Sequence, residues 1–119
     1  MVTGPHGCLV IVKNYTGDRM HFGLAVQEAR AEGLKVDIMF VGEDCAVNAG
    51  GVTGRRGLAA TALVHKVAGA AAREGKTLEE VKRVAEAVAK NSGTVGVALR
   101  SCTSMMILWM HDALTRFDF

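Results

Sequence analysis

Three short apolar runs, separated by helical patterns, constrain this sequence most strongly. They lie at residues 8–12, at Val36–Val41 and at 93–99, where 95–99 is the apolar part. A continuous apolar run of this length predicts a strand covered on both faces, as in a parallel sheet. We therefore predict three parallel strands that are adjacent or nearly adjacent.

Helical patterns fill the intervals between these runs. A helix over 19–32 is expected to bury one apolar stripe and to stop at Gly33; the stripe is Met20, Phe22, Leu24, Ala25 and Ala29. The segment 56–73 is rich in Ala and apolar nearly all round, which predicts a helix buried on most sides. Thr77 and Glu80 have capping-box spacing and predict the start of a third helix that runs to Lys90.

The order of these elements is β-α-β-α-α-β, which predicts an α/β fold. Such alternation is typical of a mostly parallel sheet with helices on both faces. Three strands are few beside the mean of about five or six per sheet. Either the sheet is small or part of it is missing.

Composition narrows the class of protein. Half of the chain is apolar and the net charge is only +2, so the sequence predicts a folded domain without a nucleic-acid or membrane partner. The three cysteines lie far apart in the sequence. This spacing favours reduced thiols and a cytoplasmic location.

The loop after the first strand is the strongest candidate for a ligand site. In open α/β sheets ligands bind where the strands end, and polar side chains are concentrated at 13–18, Lys13 and Asp18 among them. In the alternative interpretation, Asp18 only caps the following helix and Lys13 is a solvated strand end. The residues by themselves leave both interpretations open.

Two other features carry weaker signals. The Gly-rich segment 50–57 precedes a helix, as a phosphate loop does, but it lacks the Walker A and dinucleotide patterns, so a plain turn is favoured. His65 lies in an apolar helix and is expected to be a hydrogen-bonded core residue, whereas His21 is expected at the surface. The histidines have no metal-binding helical spacing, and no metal site is predicted.

Six motifs in order make the chain recognisable over residues 8–103. They are Lys-Asn-Tyr-Thr-Gly-Asp at 13–18, Val-Gly-Glu-Asp-Cys-Ala at 41–46, Gly-Arg-Arg-Gly-Leu-Ala at 54–59, Val-His-Lys-Val-Ala-Gly-Ala at 64–70, Gly-Thr-Val-Gly-Val-Ala-Leu at 93–99 and Ser-Cys-Thr at 101–103. Together they resemble the substrate-binding, DhaK-type domain of dihydroxyacetone (glycerone) kinases, and the resemblance implies that residues 1–103 form an incomplete, partial domain of this type. The remaining residues, 104–119, match nothing expected there and are interpreted as a divergent tail.

The resemblance implies phosphoryl transfer from ATP to a hydroxyl of dihydroxyacetone or a related triose. It implies that Lys13 and Asp18 contact the substrate and that Asp18 is catalytic. The nucleotide, ATP with Mg²⁺, is expected on a separate domain or subunit, so no cofactor is expected on this chain. The family also has an upstream Gly-rich substrate loop and a downstream His-Gly-Glu motif whose histidine binds the ketone covalently, and neither occurs here.

These departures leave more than one function open. The first is a truncated part of a kinase substrate domain, inactive alone. The second is a non-catalytic, triose-binding or regulatory protein that associates with full-length kinase. The third is an unrelated nucleotide-binding domain that uses 50–57. Open sheet edges and the apolar run at 105–110 further predict a homo-oligomer or aggregation.

Overall fold

A computed structural model describes residues 4–46, 54–97 and 99 of the 119-residue chain. The elements in chain order are β1 (Cys8–Lys13), α1 (Thr16–Ala31), β2 (Val36–Val41), α2 (Ala60–Arg73) and α3 (Leu78–Lys90). β1 and β2 pair in parallel, from Cys8 opposite Val36 to Lys13 opposite Val41. The predicted α/β class, the first two strands and the three helices are confirmed. The predicted tail at 104–119 lies outside the described residues.

Helices cover both faces of this sheet, as the sequence predicts. On one face the buried residues of β2 pack with α2 and α3 in a cluster of Met39, Val41, Val64, Ala68, Ala71, Val81 and Ala85. Phe40 points to the opposite face because side chains alternate along a strand. There the guanidinium carbon of Arg19 in α1 lies 4.3 Å from the centre of the Phe40 ring.

The predicted third strand is wrong for the residues that the structure describes. Thr94 forms a single parallel bridge with Asp44, and residues 95–97 belong to no strand. Val95 and Val97 are 69% and 86% exposed. The bridge joins Thr94 to residues that follow the end of β2, so the apolar run has no β2 residues left with which to pair.

Both expectations about apolar helix faces also need correction. Met20, Phe22 and Leu24 are exposed on α1, whose buried residue is Val26. α2 begins at Ala60 rather than at 56 and buries one face, while Leu63 and Val67 point outward. His65 is exposed too, so it is not a core histidine. Helical spacing finds an apolar stripe, but the neighbouring elements determine which stripe is buried.

α3 follows its prediction closely. The Glu80 backbone N–H donates to Thr77 Oγ1 at 3.3 Å, and the Thr77 backbone N–H donates to Glu80 Oε2 at 2.8 Å. These bonds are the predicted capping box. In the described part of the chain no helix is long and apolar enough to cross a membrane, and Cys8 and Cys45 are free thiols.

Candidate functional site

The candidate substrate loop connects β1 to α1 at the carboxyl end of the sheet. Lys13 is the last residue of β1 and is exposed, whereas Asp18 is half-buried in the first turn of α1. The N-cap of α1 is Tyr15, which has an extended backbone and makes no side-chain capping bond. Asp18 is therefore not the N-cap residue. Its carboxylate lies in the turn where a helix favours negative charge.

Asn14 fixes this loop to its surroundings. Its side-chain Nδ2 donates to the Arg55 carbonyl oxygen at 2.6 Å, and its Oδ1 accepts from Arg19 Nη1 at 2.9 Å. Its backbone N–H donates to the Val41 carbonyl oxygen at 2.9 Å. Asn14 is thus tied to β2, to α1 and to the segment that precedes α2.

Gly57 in that preceding segment lies directly against the end of β1. A Cβ atom at this position would lie 2.9 Å from the Asn14 backbone nitrogen and 3.0 Å from Lys13 Cα, and it would collide with the Val41 carbonyl oxygen. Similarly, a Cβ atom on Gly42 would lie 2.6 Å from the Arg55 carbonyl oxygen. We call residues 54–58 the clamp segment. Its backbone lies in direct contact with the backbone of the substrate loop and of the end of β2.

A buried carboxylate from the end of β2 holds the clamp segment. Glu43 is 2% exposed, and its Oε1 accepts from the backbone N–H groups of Leu58 at 2.8 Å and Ala60 at 2.9 Å. Thr94 Oγ1 donates to the same oxygen at 3.1 Å. The N-cap of α2, Ala59, offers no side-chain bond. Glu43 therefore supplies the helix cap that the local sequence lacks.

Asp44 forms a second buried anchor beside it. Its side chain is fully buried, and Oδ2 accepts from Arg56 Nη2 at 2.7 Å and Nε at 2.9 Å. Oδ1 accepts from the Ala46 backbone N–H at 2.9 Å. The Ala46 N–H and then the Arg56 guanidinium hold the pKa of the Asp44 carboxyl below its usual range.

These contacts do not fit a phosphate site in the described part of 50–57, which is residues 54–57. A phosphate at the start of α2 would need free backbone donors. Glu43 already accepts from two of them, and the charge of Arg56 is paired with Asp44. Across residues 4–46, 54–97 and 99, no group of three or more His, Cys, Asp or Glu side chains could hold a metal ion. The clamp segment has a structural role.

The structure brings Lys13 and Asp18 to the same end of the sheet, and no described hydrogen bond or ion pair joins the two side chains. Sequence reasoning missed Asn14, Glu43 and Gly57 as the residues that hold the loop. One signal for Glu43 was present. Two adjacent carboxylates, Glu43 and Asp44, come one residue after a buried strand, at the end of a parallel sheet where ligands bind.

Comparison with known proteins identifies the family of the chain. The Dak1 domain family model matches residues 1–107. The chain belongs to the Dak1 domain family. A putative 3,4-dihydroxy-2-butanone kinase of Solanum lycopersicum is 59% identical over 104 residues, which cover 87% of this chain and 18% of that protein. The chain thus spans about a fifth of the length of such a relative.

Solved structures of relatives share the fold. The native dihydroxyacetone kinase of C. freundii is 50% identical with a TM-score of 0.79, and the match covers 85% of this chain and 18% of that one. The same kinase has been solved in complex with AMP-PNP and Mg²⁺. A dihydroxyacetone kinase operon co-activator is 38% identical with a TM-score of 0.67, over 72% of this chain and 27% of that one.

Proposed function

We propose that the chain is part of the substrate-binding domain of a dihydroxyacetone kinase and that Lys13 and Asp18 contact a triose. The observation that carries this proposal is the placement of the family's Lys-Asn-Tyr-Thr-Gly-Asp loop. It lies at the carboxyl end of β1, where parallel sheets bind ligands, and Asn14 anchors it. Lys13 is exposed beside it and available to a small polyol.

Asp18 supplies the chemistry of this site. Its carboxylate accepts a hydrogen bond from a triose hydroxyl and takes the proton as phosphoryl transfer proceeds. Lys13 donates hydrogen bonds that orient the substrate. A separate nucleotide-binding domain or subunit supplies ATP and Mg²⁺; that a kinase of this family uses such a nucleotide is supported by the C. freundii kinase complex with AMP-PNP and Mg²⁺. The chain alone is expected to form no triose phosphate from ATP.

A graft into a complete kinase tests the proposal. Residues 8–97 replace the matching segment of the C. freundii kinase, which is 50% identical to this chain. The graft should phosphorylate dihydroxyacetone, and Asp18→Asn should lower its turnover on the order of 10²–10⁴-fold because the base is lost while the shape is kept.

The melting temperature of the grafted kinase is the control for folding, and it should not change with Asp18→Asn. Lys13→Ala should raise the KM for dihydroxyacetone. Unaltered turnover of the Asp18→Asn graft, or a folded graft without activity, would refute the assignment of this loop.

A second candidate is a non-catalytic, triose-sensing protein that binds a complete kinase. The structural similarity to a kinase operon co-activator favours it. Capture of a purified full-length dihydroxyacetone kinase by the tagged chain, strengthened by dihydroxyacetone, would support this role. Lack of capture at micromolar concentrations of both proteins would contradict it.

A further inference from the structure

Glu43 is a buried carboxylate that the proposed chemistry does not use. None of its described bonds goes to Lys13 or Asp18, and its other oxygen, Oε2, is buried without a described partner. We propose that Glu43 is a positioning residue of the triose site and that it acts on Lys13 and Asn14 through the clamp segment. This inference rests on the proposed function and extends it to a residue outside the substrate loop.

The first link joins Glu43 to the clamp segment. Oε1 receives two backbone N–H groups, from Leu58 and Ala60, and the hydroxyl of Thr94. The three donors come from two parts of the chain that are distant in sequence. One carboxylate oxygen therefore fixes the end of the clamp segment relative to the end of β2.

The second link joins the clamp segment to the substrate loop. Gly57, which precedes Leu58, lies so close to Lys13 Cα and to the Asn14 backbone nitrogen that even a methyl group would not fit. The Arg55 carbonyl oxygen accepts from the Asn14 side chain at 2.6 Å. A shift at Leu58 is thereby transmitted to the backbone that carries Lys13.

A carboxylate suits this position better than its neutral analogue. A helix start favours negative charge, and α2 has no capping side chain of its own. Glutamine would keep one acceptor oxygen but would place an NH₂ group, with two hydrogens to satisfy, at the position of Oε2, which is buried and has no hydrogen-bond partner among the described residues. Alanine would remove the acceptor for all three donors.

The test uses the full 119-residue chain and its variants Glu43→Ala and Glu43→Gln, studied by NMR under conditions where each is folded. In Glu43→Ala, amide exchange at Leu58 and Ala60 should accelerate about tenfold or more because their backbone N–H groups lose their acceptor. Exchange at Asn14 should also accelerate, because the clamp segment then holds the substrate loop less firmly. The resonances of Lys13 and Asn14 should shift, with smaller changes in Glu43→Gln. Val81→Ala is the control because it removes core packing in α3 without touching the clamp segment.

A titration with dihydroxyacetone separates this proposal from the proposed function. Glu43→Ala should bind dihydroxyacetone about tenfold more weakly than Val81→Ala does, under conditions where the two variants are equally stable. This loss is expected because the substrate loop loses its preorganised geometry. If the wild-type chain binds no triose while the loop resonances still depend on Glu43, the proposed substrate is wrong and the positioning role stands.

Unchanged resonances of Lys13 and Asn14 in both Glu43 variants would overturn the inference. If Glu43→Ala does not fold, the Glu43→Gln variant is used instead. Its Lys13 and Asn14 resonances are then compared with those of the wild type and of Val81→Ala.

Discussion

At the scale of single residues, the site depends on backbone contacts that leave no room for a side chain. Gly57 is the clearest case because its neighbours are the backbone atoms of Lys13, Asn14 and Val41, which cannot rotate away. Gly69, within α2, offers the contrast. A Cβ atom added there would meet nothing within 4 Å apart from its own helix backbone.

Gly57→Ala should lower the free energy of unfolding by about 1–3 kcal/mol, the usual cost of forcing an extra carbon into a packed site. Gly69→Ala should instead raise it by roughly 0.5–1 kcal/mol because alanine favours the helix. Urea unfolding monitored by circular dichroism measures both. Equal effects of the two substitutions would contradict the close approach of the clamp segment.

Asp44 should contribute a pH-dependent part of the stability. Its pKa is lowered in the folded chain by the Ala46 N–H and by Arg56. The contribution is therefore complete above the unfolded-state pKa of about 3.9 and is lost as the pH falls through the lower folded value. The stability difference between wild type and Asp44→Asn should stay constant from pH 7 to about 5 and narrow below pH 4. A difference that widens on acidification would exclude this assignment.

The sequence could predict that Lys13 and Asp18 lie near the carboxyl end of β1, because Lys13 adjoins the apolar run and Asp18 is five positions further on, but it could not identify the residues that support them. Asn14 bonds to Arg55, which is 41 positions away, and Glu43 bonds to Ala60, which is 17 positions away. No local pattern encodes such pairs. They depend on how β1, β2 and the start of α2 come together.

At the scale of elements, the sequence predicted correctly those helices and strands whose determining residues lie within the element itself. α3 begins with its own capping box, and β2 has its predicted bounds. The prediction of a third strand was wrong because a strand needs a neighbouring strand as well as an apolar run. Among the described residues, Thr94 forms a β-bridge with Asp44 alone. The prediction of the buried face of α1 was wrong for a related reason, because contacts with other elements decide which face is buried. The sheet contacts the side of the helix that holds Val26.

Thr77→Ala should destabilise the chain by about 1 kcal/mol, because it removes the side-chain acceptor for the Glu80 backbone N–H at the start of α3. Thr77→Ser keeps an equivalent hydroxyl and serves as the control. Chemical denaturation of both variants provides the measurement. A loss of the same size in Thr77→Ser would show that the methyl group, rather than the cap, stabilises this end of α3.

At the scale of the whole molecule, the described residues leave apolar surface on two sides. Met20 and Leu24 are 69% and 57% exposed on α1, and Leu63 is 56% exposed on α2. β1 pairs with β2 along one edge, and no described strand pairs with its other edge. Exposed apolar faces and unpaired strand edges favour association with other chains.

The isolated chain should therefore self-associate at micromolar concentrations in sedimentation velocity. Leu24→Lys and Leu63→Lys should each increase the monomer fraction because they place a charge within an apolar patch. Gln27→Lys, at an exposed polar position on α1, is the control for added charge and should have little effect. A monodisperse wild-type monomer with a sharp thermal transition would refute this expectation.

The capping of α2 by Glu43 also bears on the order in which the chain folds. α3 can start as soon as Thr77 and Glu80 meet, since they are three positions apart. The first turn of α2 has no such partner nearby and must wait until β2 and the clamp segment come together, which first costs loop-closure entropy. The start of α2 should thus form late in folding, and the substrate loop that it supports should be among the last parts to order.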